Sequence, residues 1–108
     1  MPIIQVRPSN PTGSQCDPHR AKATKDKATI FTFRFYESGW DWDGQSPVTV
    51  TGGGSEFPAP SFVHPKGNHN DVVLFDCNTD NTQYKYIVKV VNTTTGAKKK
   101  IDPFIQNQ

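Results

Sequence analysis

Ala28-Thr-Ile-Phe-Thr-Phe-Arg-Phe-Tyr36 alternates strictly. Phe31, Phe33 and Phe35 fall on one side of an extended chain, Thr32 and Arg34 on the other, a period of two that a helix does not produce. A strand with so aromatic a face has to bury it, and the stretch predicts a β-strand whose phenylalanines meet a second sheet.

Working outward, the same period recurs over Tyr84 to Val91, where Tyr84, Tyr86, Val88 and Val90 face one way. Val48-Thr-Val-Thr51 alternates too and stops at Gly52-Gly-Gly54, which supply a turn. Val72 to Cys77 reads as a short apolar strand bounded by the turn residues Asn68–Asp71 and Asn78–Asn81. Ile3 to Arg7 predicts a first strand, at an edge. Phe57 to Val63 carries Pro58 and Pro60 and reads as an irregular edge segment. The last strand, Lys98 to Gln106, follows the turn Asn92–Gly96 and must be an edge or be interrupted at Pro103, which has no ladder donor. No window repeats apolar residues at helical spacing, and the helix-tolerant piece Ala21–Lys27 lacks an apolar stripe.

Six to eight short strands with Gly, Pro and Asn turns predict an all-β fold, an immunoglobulin-like antiparallel β-sandwich. Asp80-Asn-Thr-Gln-Tyr84-Lys-Tyr86 has the spacing of a tyrosine corner, with Tyr86 standing where an antibody domain has cysteine. The 108 residues make one domain, 1–108, with 8–27 as a turn-rich or partly mobile segment.

The hydrophobic fraction of 33% is low, and aromatics at 11% supply the missing buried area. Twelve basic against ten acidic residues leave a net charge of +2, too balanced to indicate a nucleic-acid or membrane partner. No stretch approaches the roughly 20 apolar residues of a membrane helix, and MPIIQVRPSNPTG lacks the apolar run of a signal peptide. A cytoplasmic protein with Cys16 and Cys77 as reduced thiols is the expectation.

Several constellations bear on function. Glu37-Ser-Gly-Trp-Asp-Trp-Asp-Gly44 gathers both tryptophans. Trp40 and Trp42, flanked by Asp41 and Asp43, share a face of an extended strand and form a candidate carbohydrate-binding site; the favoured reading is burial of both indoles. Asp41 also opens a fragment of a calcium loop, but the third ligand place, the glycine place and the bidentate Glu place hold Gln45, Ser46 and Gly52, so that loop fails. His64, His69 and Asp71 are weak metal-ligand candidates, since no strand or helix spacing enforces their convergence. Gly52–Gly54 lack the Lys-Ser/Thr of a phosphate loop. Asn92-Thr-Thr is a formal glycosylation acceptor that more simply builds a turn. With no catalytic constellation, the enzyme reading is weak and no cofactor is expected.

Tyr84-x-Tyr86-x-Val88-x-Val90, a glycine-containing turn and then Asp102-Pro103-x-Ile105-x-Asn107 resemble the C-terminal hairpin of small bacterial β-sandwich proteins, the DP-EP family and the AidA/PixA inclusion-body proteins. The resemblance covers roughly Tyr84 to Asn107, and Glu56-Phe-Pro58 departs from the family's Glu-Pro motif. It implies a bacterial cytoplasmic sandwich. The leading expectation is a non-enzymatic interaction or assembly module that pairs with itself or a protein partner through an edge strand, either the N-terminal one or the Pro103-broken last one. The alternative is carbohydrate binding by Trp40 and Trp42.

Overall fold

The computed structural model describes residues 2–67 and 69–108. Among them eleven strands follow in order: β1 (Ile3–Val6), β2 (Cys16–Asp17), β3 (Arg20–Lys22), β4 (Thr29–Phe35), β5 (Trp40–Trp42), β6 (Val48–Val50), β7 (Phe62–Lys66), β8 (His69–Asp76), β9 (Gln83–Asn92), β10 (Lys98–Ile101) and β11 (Phe104–Gln106). They form two sheets packed as an all-β sandwich, one in the order β2-β1-β4-β8-β7, the other built around β9.

The phenylalanine strand is β4, central in the five-stranded sheet. Phe31 and Phe33 are fully buried, and Phe35 packs at the border of the core. β8 runs antiparallel to β4, pairing Phe31 with Leu74 and Phe33 with Val72. It starts at His69, because Asn70 and Asp71 pair with Pro65 and His64; only Asn68 of the expected turn lies outside the described residues.

Two expectations are corrected here. β1 is interior rather than an edge, because Cys16 and Asp17 pair with Val6 and Gln5 on the side away from β4. The sheets are mixed rather than wholly antiparallel: β1 runs parallel to β4, and β11 parallel to β3. Parallel neighbours need a long connection, and between β1 and β4 the turn-rich segment 8–27 provides it. That segment also places Cys16, Ala21 and Ala23 in the core, with Ala21 on a strand where a helix was tolerable.

β9 organises the other sheet. Along one side lie β5, opposite Val90–Asn92, and β6, opposite Tyr86–Val88. Along the other lie β10, opposite Val88–Val91, and β11, opposite Gln83–Lys85. The last strand is thus interrupted at Pro103, whose carbonyl still accepts from the Tyr86 amide at 3.1 Å. The turn Asn92–Gly96 is an Asx turn in which Asn92 Oδ1 accepts from the Thr94 and Thr95 amides. In the glycine triplet Gly52 and Gly54 have positive φ, and a Cβ on Gly53 would lie 2.5 Å from the Phe57 ring.

Tyr86, Val88 and Val90 are fully buried and face the phenylalanines; Phe33 meets Tyr86 edge-on at 5.5 Å. The Tyr86 hydroxyl sits beside the Cys16 thiol, which burial pushes up to about 12. Both cysteines are free thiols. Tyr84 marks the end of the core, T-shaped against Phe57. Its hydroxyl donates at 2.5 Å to the Asp80 side-chain carboxylate, not to backbone as a tyrosine corner would have it.

Asp80 belongs to a polar cluster at this end. Asn107, fully buried, donates through Nδ2 to Glu56 and Asp80, both at 3.1 Å, while Glu56 also accepts from the Thr79 amide and hydroxyl. Asp76 accepts from the Asn78 amide at 2.9 Å through Oδ1. Two buried acceptors of this cluster, Asp76 Oδ2 and Asn107 Oδ1, have no donor among the described residues. Burial, with help from nearby Glu56 and Asp80, raises the Asp76 carboxyl from 3.8 to about 6. A proton on Asp76 supplies one missing donor and removes a desolvated charge.

The folded chain holds this proton more tightly than the unfolded one, so the stabilisation is complete below about 4 and lost as pH rises through about 6. Asp76→Asn, a neutral isostere, should gain about 1–2 kcal/mol more over wild type at pH 7.5 than it does at pH 5. Urea titrations of both proteins at the two pH values measure this; the same change at both would mean that Asp76 does not titrate between them.

Candidate functional site

The tryptophan pair lies on β5 beside the start of β8. Trp42 is 7% exposed, its ring stacked on Phe35 with centroids 4.0 Å apart, and its Nε1–H donates to the Asn70 carbonyl at 3.0 Å. Trp40 is half-buried against the core and borders a cavity of about 390 Å³ with Asp41, His69 and Asn70. Asp41 accepts from the Trp42 amide at 2.8 Å, and Asp43 faces Lys98 Nζ at 3.7 Å. Both indoles therefore serve packing. Sugar stacking by a pair needs two open ring faces, and Phe35 already occupies that of Trp42, so the geometry weighs against that use.

The weak metal group does converge in part. His64 pairs with Asp71 across β7–β8, and His69 Nδ1 lies 3.2 Å from Asp71 Oδ1. The carboxylate, however, is taken by Arg34, whose Nε and Nη2 donate to its two oxygens at 2.9 and 2.8 Å. This bidentate pairing raises the Arg34 guanidinium above its ordinary pKa. Among the described residues no three His, Cys, Asp or Glu side chains stand where they could hold a metal ion.

Asp71 leads to a different surface. Side chains opposite each other across strands share a face, so the registers lay out the outer side of the five-stranded sheet in rows. Ile3, Thr32, Val73 and Phe62 form one row across β1, β4, β8 and β7. Ile30 and Phe75 form the next in one direction. In the other direction the row is Asp17, Gln5, Arg34, Asp71 and His64, followed by Arg7, whose guanidinium lies 5.3 Å over the Tyr36 ring. The outer face is thus apolar at one end and charged at the other. Ile3, Ile30 and Phe62 are 42%, 38% and 40% exposed, and with Val73 they line a trough of about 360 Å³ that ends at Arg34, His64 and Asp71.

Sequence reasoning missed this surface, although a signal was present. Ile30 has the same parity as Thr32 and Arg34 and so had to point away from the phenylalanine face. Ile3 and Phe62 could join it only once the neighbours of β4 were known.

The edges of both sheets are poor templates for pairing. β7 carries Pro65, β10 is three lysines and an isoleucine, β2 is two residues long, and β3, β5 and β6 are three residues each. Prolines, lysines and short strands are the usual ways of blunting an edge. No helix among the described residues is long and apolar enough to cross a membrane. Comparison with known proteins finds no protein-family model and no curated protein that matches the chain.

The Arg34–Asp71 pair should behave as a unit. Arg34→Gln leaves the buried Asp71 carboxylate without its bidentate partner and should lower the urea midpoint clearly. Asp71→Asn added to it should restore most of the loss. Simple additivity of the two single changes in a double-mutant cycle would show that the pair is not coupled.

Proposed function

We propose that this chain is a non-enzymatic interaction module that receives a protein partner on the outer face of its five-stranded sheet. The observation that carries the reading is the cluster of Ile3, Ile30 and Phe62, each about two-fifths exposed around one trough on the outer side of the sheet. Contiguous exposed apolar side chains rimmed by charge mark interaction surfaces more often than scattered ones do. The blunted edges favour use of the face over pairing through the N-terminal or the Pro103-broken strand, the two edges expected from the sequence. We further propose an immunoglobulin-like sandwich of the DP-EP or AidA/PixA kind, working in the bacterial cytoplasm. That finer assignment is supported by the motif from Tyr84 to Asn107 and by the two free thiols.

A face kept apolar for a partner contributes little to the isolated fold. Phe62→Ser and Ile30→Thr should each shift stability by no more than about 1 kcal/mol, close to the range of surface substitutions. Urea denaturation checks this. A loss of about 3 kcal/mol or more from either change would identify it as a core position and remove the reason to call the face a binding surface.

A further inference from the structure

Taking the outer face as the docking surface, we infer that its trough accepts one apolar side chain of a partner peptide, with an acidic residue two positions along from it. The inference thus rests on the functional reading above and specifies its occupant.

Size argues for a peptide rather than a second copy of the chain. Three side chains about 40% exposed offer on the order of 200–300 Å² when a whole large side chain covers roughly 150–250 Å². A stable dimer buries about 800 Å² on each partner. The trough, at about 360 Å³, lies near the lower end of binding-site volumes and suits one aromatic or branched aliphatic group.

Chemistry sets the second residue. Where the trough ends, the groups open to solvent offer N–H donors: the Arg34 side chain is 22% exposed and His64 is exposed, while the Asp71 side chain is 3% exposed with oxygens engaged by Arg34 and His69. Farther out, Arg7 and Asp17 carry opposite charges and cancel at a distance. An incoming acceptor, best a carboxylate, therefore finds the complementary end. The Ile3–Val73–Phe62 row and the Arg34–His64 row are two residues apart along the strands, about 6.7 Å. An extended peptide running along the strands spans that gap between positions i and i+2. Pro65 keeps it on the face rather than letting it add a regular strand beside β7.

The probe is a random-peptide display library panned against wild type and against Phe62→Ser, whose folding is verified by its urea midpoint. We expect enrichment of an aromatic or aliphatic residue followed two positions later by Asp or Glu. Selected synthetic peptides should bind Phe62→Ser about tenfold more weakly. Selection on the charge-neutral pair Arg34→Gln/Asp71→Asn should keep the apolar preference and lose the acidic one.

Apolar peptides without the acid that still depend on Phe62 overturn the proposed occupant and leave the face standing. A wild-type dimer in light scattering that Phe62→Ser dissolves does the same in favour of self-association. No enrichment, or enriched peptides that bind Phe62→Ser equally well, overturns the face and its occupant together.

Discussion

Ten residues, Gln83–Asn92, have to satisfy backbone groups on both sides of an extended chain running through the middle of the molecule, and four short strands are arranged to do it. Buried amides and carbonyls cannot be left unpaired cheaply, so β5 and β6 lie end to end along one side of β9 and β10 and β11 along the other. The break at Pro103 is tolerated because its carbonyl still serves the Tyr86 amide. With the backbone satisfied, Tyr86, Val88 and Val90 are held in one plane against Phe31 and Phe33, and that contact joins the two sheets.

The start of β9 is fixed by polar contacts as much as by packing. Tyr84 is tied to Asp80, Asp80 to Asn107, and Asn107 to Glu56, so a strand, a loop, the chain's last residues and a single 3-10 turn share one network. Asn78 adds Nδ2 bonds to the carbonyls of Thr24, Lys27 and Gln108. These connections lie at one end of the molecule, apart from the outer face of the other sheet, where the Arg34–Asp71 clamp sits. A rigid sheet with an uncommitted face is a suitable base for recognition, because little ordering has to accompany binding.

Much of the sandwich was legible because burial imposes a period. Strict alternation located β4 and the inward face of β9, and the same reasoning about scarce aliphatics anticipated that Trp40 and Trp42 would pack inward. Pro103 and the glycine triplet were readable from backbone chemistry alone. Strand partnership was not readable. Nothing in Ile3–Val6 says that it lies parallel to β4 with Cys16–Asp17 on its far side, and strands of two or three residues carry no period to detect. The same gap hid the candidate surface: Ile3, Ile30 and Phe62 are scattered along the chain, and Arg34 meets Asp71 across 37 positions. Only the lateral register brings them into rows.

If β9 is the element on which the rest depends, its amides should be the slowest to exchange. Native-state hydrogen exchange followed by NMR, compared with the unfolding free energy from urea, measures this residue by residue. The expected result is that the Tyr86 and Lys89 amides, which donate to Pro103 and Pro47, exchange only through global unfolding, while amides of β7 and β10 open locally at lower cost. Exchange of the β9 amides well below the global free energy, with β7 better protected, would contradict the central place given to this strand.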